Sequence, residues 1–245
     1  MSATETPALL PPGERVVMIS GASRGIGLAI ARRLHAAGYR LSLGVRRPAA
    51  LKAFDGADGV LVHAFDAADP ASASAWIEAT IARFGRLDVL VNNAGILRQI
   101  DFESGGEEIL DEMWAVNVKA PFRLIRLALP HLKRAGSGRI VNVASTDGKR
   151  YRDPSVSVAY AMTKHAVMAL THAAKFAGWE HGVRVTALCP GAVDTELVAA
   201  VPGVTAAAGR LKPETLAEVV AFLLTLPNNA SVAELVVNTR LEPTL

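Results

Sequence analysis

The sequence predicts an α/β fold: one doubly wound, seven-stranded parallel sheet flanked by helices on both faces. Three observations predict it. Seven short runs rich in β-branched residues recur along the 245 residues, and segments of helical length separate them. Most runs, such as VVMIS, LDVLV and RIVNVA, are predominantly apolar at consecutive positions instead of alternating, as strands buried on both faces must be. Strand and helix alternating at this spacing read as right-handed βαβ units in a single sheet.

Taken in order, residues 1–13, with Pro7, Pro11 and Pro12, are expected to form a flexible surface leader, and 14–245 a single domain. Strands are expected at 16–20, 40–45, 60–65, 87–91, 139–144, 183–188 and 232–238. Helices are expected at 26–37, 71–84, 107–133, 157–180 and 213–226, with Gly38, Gly85, Gly136 and Gly182 as stops. Apolar residues make up 51% of the chain and charged ones 20%, enough to bury a sizeable core and too apolar for disorder.

The composition also excludes classes of function. The single cysteine, Cys189, rules out a disulfide scaffold and any multi-cysteine metal site, and no metal is expected; the residue reads as a small buried side chain. No apolar run approaches the roughly 18 residues of a membrane span. The first residues lack a basic region and a long apolar stretch, so a cytoplasmic protein is expected. The 26 Lys+Arg against 23 Asp+Glu leave a charge of +3, but the basic residues are scattered and aromatics are only 5%, so no nucleic-acid surface is visible. A small-molecule partner and a phosphate-bearing cofactor suit the surplus better.

The first strand runs into Ser20-Gly21-Ala22-Ser23-Arg24-Gly25-Ile26-Gly27 and then directly into a helix. Glycines there allow a tight turn and a close approach to a pyrophosphate, and the helix start offers free N–H donors. The GxxxGxG spacing differs from the ordinary dinucleotide fingerprint. At this point the chain resembles the short-chain dehydrogenase/reductase family, and further landmarks follow in that family's order. Asn92-Asn93-Ala94-Gly95 comes after the fourth strand, Asn117 lies in the next helix, and Ser145 ends the fifth strand. Tyr160-x-x-x-Lys164 opens the following helix, and Pro190-Gly191 comes after the sixth strand. The resemblance spans roughly 14–240. It implies a Rossmann-type sheet in the strand order 3-2-1-4-5-6-7 and an assembly as homodimer or homotetramer through the long helices. Phe122, Met162, Met168 and Ala169 would permit that assembly; equally they would serve as internal core.

A fold that binds NAD places an acidic residue about 20 positions after the glycines. Here the second strand ends Gly44-Val45-Arg46-Arg47, with no acidic residue until Asp55. Arg46, together with Arg24, is suited to the 2′-phosphate of NADP, and these positions are basic in many NADP-using family members. The alternative is a solvated Arg46-Arg47 pair, which leaves NAD open. The resemblance further implies that Gly21, Ser23, Arg24, Gly25, Ile26 and Gly27 hold the pyrophosphate end of the cofactor and that Asp66 meets the adenine edge. It places Asn93, Ala94 and Gly95 against the adenosine ribose, and Pro190, Gly191, Val193 and Thr195 against the carboxamide. Asp66 would otherwise be a turn carboxylate and Thr195 a helix cap.

Tyr160 and Lys164 are four positions apart, on one helical face. A phenol with an ordinary pKa of about 10 works near neutral pH only if that value falls by roughly 3 units, and an ammonium about 4 Å away supplies roughly that much at an effective dielectric near 20. By resemblance Tyr160 moves the proton, Ser145 binds the reacting oxygen, Lys164 holds the nicotinamide ribose and lowers the tyrosine pKa, and Asn117 holds a helix kink and a relay water. These four are the expected catalytic residues. The reaction expected is reduction of a compact ketone, aldehyde or quinone with NADPH, or its reverse. A silent cofactor-binding regulatory protein and an epimerase or dehydratase on the same fold are the alternatives.

Two stretches depart from the family. The segment between Ser145 and Tyr160 is slightly longer than usual and carries Lys149, Arg150 and Arg152. These three either recognise an acidic substrate or form a solvated charged loop. The chain also ends without the family's usual DGG segment, running Val236-Val237-Asn238-Thr239-Arg240 to Leu245, which puts the tail's subunit contacts in doubt. The short Ala- and Val-rich region between Thr195 and Pro213 is expected to be a small lid.

Overall fold

The computed structural model describes residues 8–199 and 209–239. Residues 1–7 of the expected leader, 200–208 of the expected lid and 240–245 of the tail lie outside them. The seven strands are β1 (Val16–Ser20), β2 (Arg40–Val45), β3 (Val60–Ala64), β4 (Val89–Asn92), β5 (Arg139–Val143), β6 (Arg184–Pro190) and β7 (Glu234–Val237). They form one sheet in the order β3-β2-β1-β4-β5-β6-β7, and every pairing is parallel. The expected fold class and strand order are therefore those observed, with no strand end displaced by more than two residues.

The helices are α1 (Gly25–Ala36), α2 (Pro70–Phe84), α3 (Glu107–Trp114), α4 (Ala120–Arg134), α5 (Val158–Gly178), α6 (Glu196–Ala199) and α7 (Pro213–Thr225). One core cluster joins α1 and α7 to one face of the sheet through Ile30, Leu34, Val220 and Leu224. Another packs α2, α4 and α5 on the opposite face through Trp76, Leu124, Leu132 and Ala174. Local signals bound these helices. In α2 the Asp69 carboxylate accepts the Ala71 N–H, Pro70 stands in the first turn, and Gly85 closes the end with φ of 73°.

The stretch expected as one helix over 107–133 is instead α3 and α4 joined by a single π turn, Ala115–Lys119. Pro121 lacks an N–H, so the ordinary bond back to the Asn117 carbonyl cannot form. The Asn117 side chain then locks the wider turn: Nδ2 donates to the Ile96 carbonyl and Oδ1 accepts from the Ile96 N–H, each at 2.9 Å.

At the strands' N-terminal ends two buried arginines tie the end of α7 and the segment after it to the sheet. Arg15 donates to the Leu224 carbonyl at 2.7 Å, and Arg139 to the Leu226 carbonyl at 2.6 Å and Asn228 Oδ1 at 3.0 Å. The described end of the leader is tied to α7 as well, the Leu10 N–H donating to the Thr225 carbonyl at 2.7 Å.

Trp76 shows how closely the layers meet. Its fully buried ring lies over Gly44 of β2, and Nε1 donates to Ser42 Oγ at 2.9 Å. A methyl at Gly44 would stand 2.6 Å from the ring. Gly44→Ala should destabilise the protein by about 1–3 kcal/mol, the usual cost of overpacking. Denaturant unfolding checks this; an unchanged midpoint at constant slope would contradict it.

Candidate active site

All the candidate residues on the described chain lie at the C-terminal ends of the strands, where a doubly wound sheet opens its crevice. Two loops are stitched together at the centre. Ser20 Oγ accepts the N–H groups of Asn93 and Ala94, each at 3.0 Å, and Asn93 Nδ2 donates to the Ser20 and Gly21 carbonyls at 3.0 and 3.1 Å. The approach is close enough to require glycine. A Cβ on Gly21, whose φ is 68°, would meet the Ala94 Cα at 2.9 Å, and one on Gly27 would meet the Gly21 carbonyl oxygen at 2.4 Å.

The start of α1 suits an anion. Its N-cap, Arg24, makes no side-chain bond to the first-turn N–H groups, and the first turn, with Gly25, Ile26 and Gly27, carries no acidic residue. Thr195 stands beside it, with Cγ2 3.1 Å from where a Gly25 Cβ would be, so the loop after β6 closes on the glycine turn. In that loop Val193 is buried and bridges Leu211, Gly191 follows Pro190 at the end of β6, and Thr195 Oγ1 points to the Val193 carbonyl at 3.5 Å. Ser23 is exposed in the turn. These groups fit the phosphates and the nicotinamide end of a dinucleotide.

The adenosine side is less uniform. Arg46, exposed just past β2, has no carboxylate partner among the described residues, whereas Arg24 is ion-paired to Glu196 of α6. Asp66 uses one oxygen to close its own turn, accepting the Ala68 N–H at 2.9 Å.

Tyr160, Lys164, Ser145 and Asn117 converge. Tyr160 and Lys164 share the first turns of α5, which Ser157 caps by accepting the Tyr160 N–H at 3.3 Å. Ser145, just past β5, is hydrogen-bonded to Tyr160 and accepts the Asp147 N–H at 3.1 Å. Lys164 Nζ lies 5.4 Å from the Tyr160 ring centroid and donates to the Val143 carbonyl at 2.8 Å. Asn117 Nδ2 reaches Thr163 Oγ1 of α5 at 3.1 Å, and a Cβ on Gly95 would lie 3.4 Å from Asn117 Oδ1 and 3.9 Å from Lys164 Nζ.

The electrostatics correct one expectation. The tyrosine pKa is raised, not lowered: burial dominates, the Asp147 carboxylate adds to it, and the Ser145 hydrogen bond only partly opposes it. Lys164 is itself pushed down to about 8 by burial, so its charge is weakened where the depression was expected to originate. Tyr160 therefore holds its proton across the neutral range.

The long loop after Ser145 does not offer three free cations. Lys149 pairs with Glu234 of β7, which also accepts from His172 of α5 at 2.7 Å, and Arg152 pairs with Asp153 at 2.6 Å. Cys189 is fully buried, 3.6 Å from the Met168 sulfur, and its thiol is pushed up to about 11. Sequence reasoning missed Asp147 beside Tyr160 and the Lys149–Glu234–His172 group, since neither has a local pattern. It also passed over Asn142, a polar residue inside the apolar run RIVNV.

Among the described residues no helix is long and apolar enough to cross a membrane. The chain is 40% identical over 220 residues to agropine synthesis reductase of Rhizobium rhizogenes, a match that covers 89% of this chain and 50% of that protein. The chain thus spans about half the length of the first curated relatives it matches. The fold superposes on an alcohol dehydrogenase from Thermococcus sibiricus complexed with 5-hydroxy-NADP, with TM-score 0.84 and 34% identity over 94% of this chain and 99% of that one. It also superposes on a 3-ketoacyl-(acyl-carrier-protein) reductase from Brucella melitensis complexed with NADH, with TM-score 0.83 and 31% identity over 93% and 98% of the two chains. The short chain dehydrogenase family model matches residues 15–203, and with the sheet order and the relatives in agreement, the chain belongs to that family of oxidoreductases.

Proposed function

We propose that the chain is a cytoplasmic, NADPH-dependent reductase of a compact ketone, aldehyde or quinone, also able to run the reverse oxidation, with residues 14–245 acting as one catalytic domain. The observation that carries this reading is the convergence of Tyr160, Ser145, Lys164 and Asn117 beside an uncapped helix start. NADP is favoured over NAD because Arg46 stands exposed at the end of β2 without a carboxylate partner among the described residues. Arg24 would join it by exchanging Glu196 for the 2′-phosphate.

When bound, the nicotinamide supplies the hydride. The protein supplies the rest. The Tyr160 hydroxyl donates its proton to the carbonyl oxygen as negative charge develops there, and the Ser145 hydroxyl holds the same oxygen in line. Lys164 binds the ribose next to the reacting ring, and Asn117 fixes the backbone that carries the site. Gly21, Ser23, Gly25, Ile26 and Gly27 hold the pyrophosphate through the glycine turn. Asp66, Asn93, Ala94 and Gly95 border the adenosine, while Pro190, Gly191, Val193 and Thr195 orient the carboxamide.

Assembly as a homodimer or homotetramer belongs to the same reading. Phe122, Met162 and Ala169 lie exposed on α4 and α5, which supports it; Met168 packs in the core with Cys189.

Burying the lysine has a cost that pH reveals. Below about 8 both the folded and the unfolded chain carry the ammonium, and the desolvation penalty is complete. Between about 8 and 10.5 the folded chain releases the proton while the unfolded chain keeps it, so the penalty shrinks as pH rises. Relative to Lys164→Met, the wild type should gain stability from about pH 7 to about pH 10, by on the order of 3 kcal/mol at most. A flat difference in urea unfolding across that range would contradict this.

Activity tests the reading directly. In a spectrophotometric panel of carbonyls with NADPH and NADH, Tyr160→Phe should lower kcat about 10²–10⁴-fold, the usual share of a positioned general acid. Retention of full activity by that variant would overturn the mechanism. Arg46→Ala should raise KM for NADPH about 10–100-fold, as expected for a lost charge-assisted hydrogen bond, and leave KM for NADH near wild type. Equal changes for both cofactors would remove the NADP preference.

A further inference from the structure

The turn after β5 brings a carboxylate to the proposed reacting position. Past Ser145 the chain turns over Thr146–Gly148, and Asp147 folds back on the serine. The Asp147 N–H donates to Ser145 Oγ at 3.1 Å, and that hydroxyl, which is also hydrogen-bonded to Tyr160, lies 3.4 Å from Asp147 Oδ2. Gly148 seats the turn against α5, where a Cβ would stand 2.7 Å from the Lys164 carbonyl oxygen. Asp147 is half-buried, so part of it is open to a ligand.

Distance decides what the carboxylate does. A carbonyl oxygen held by Ser145 Oγ at about 3 Å stands within roughly 6.5 Å of Asp147 Oδ2, and substituents on the next one or two carbons can come closer. Negative charge grows on that oxygen during reduction, and a fixed negative charge so near opposes it. The tyrosinate left behind meets the same opposition, since the carboxylate helps to raise the Tyr160 pKa. For a neutral or acidic substrate Asp147 is thus a hindrance. An ammonium group on the substrate reverses the sign, because it pairs with the carboxylate and stands beside the developing charge. Two cations of the same loop are committed elsewhere, Lys149 to Glu234 and Arg152 to Asp153.

We propose that Asp147 is a specificity-determining residue, and that the substrate is a compact ketone or aldehyde bearing a primary or secondary ammonium group one or two carbons from the carbonyl. The ammonium donates to the Asp147 carboxylate while Ser145 and Tyr160 hold the oxygen, which rests on the roles proposed above for those two residues. It keeps its protons throughout: the proton taken up by the oxygen is that of Tyr160. Asp147 need not be free of other partners in its turn, because a carboxylate accepts several hydrogen bonds at once.

Three four-carbon ketones that differ in terminal charge test this with NADPH: 4-amino-2-butanone, 4-hydroxy-2-butanone and acetoacetate. In the wild type kcat/KM should be highest for the amine and lowest for acetoacetate. Asp147→Asn keeps the shape and removes the charge. In that variant the ratio of amine to hydroxyketone should fall about 10–100-fold, the share of one hydrogen bond to a charged group, and acetoacetate should improve. A wild type that prefers acetoacetate or the hydroxyketone overturns the assignment, as does a ratio that Asp147→Asn changes by less than about threefold. If Asp147→Asn does not fold, the wild-type order decides. Reduction of neutral carbonyls without preference for the amine defeats only the role of Asp147 and leaves the reductase reading standing. A wild type that reduces no carbonyl defeats the reductase reading instead. Calorimetric titration with 4-amino-2-butanone is independent of turnover: tighter binding to the wild type than to Asp147→Asn supports the contact, and equal affinity overturns it.

Discussion

A sheet covered on both faces admits almost no water to its strands, so each polar group placed near them has to find its partner within the protein. Much of the site follows from that requirement. Ser20 and Asn93 satisfy two loops at once, Asn117 takes both bonding groups of Ile96, and Lys164 spends one proton on the Val143 carbonyl. Side chains held at two or three points cannot drift, and a geometry fixed before any ligand arrives needs little reorganisation when charge develops. The glycines have a matching double duty. They shape the helix start where the cofactor is proposed to bind, and they also let the loops after β1 and β4 come within contact of each other.

Burial works in opposite senses on the two titratable groups at the centre. It favours the neutral form of each, keeping the proton on Tyr160 and loosening one on Lys164. A simple Coulomb estimate between an ammonium and a phenol points the other way, because it omits the loss of solvent from both. The arrangement suits a tyrosine that begins as an acid, and it makes the groups around the lysine, in particular its hydrogen-bond acceptors, the means by which its charge is kept.

The fold was legible because continuous apolar runs of five or six residues leave few alternatives to buried parallel strands, and VVMIS and RIVNV occupy β1 and β5 as the pattern required. The candidate site was legible where it is written in order along the chain, from the glycine turn to Tyr160 and Lys164. What stayed hidden depends on distant partners. The π turn between α3 and α4 needs Ile96 to lock it, although Pro121 marked the place. Lys149 looked like a loop cation until Glu234, 85 residues later, came to its side. Asn142 carried a signal in being polar among apolar neighbours, but its direction is set by the Thr171 hydroxyl.

At the end of the sheet away from the site, Arg15, Arg139 and Arg184 direct their guanidinium groups at main-chain carbonyl oxygens of α7 and of the segments beside them. These charges carry no message for a ligand. They are three in number, as is the formal surplus of the chain, so a positive total does not measure how much of the surface is built to attract anions. The surplus can reside in mortar at one end of the molecule, while Arg46, proposed above to meet the cofactor at the other, is a single exposed cation. Titrating the whole protein would therefore report on its masonry as much as on its binding site.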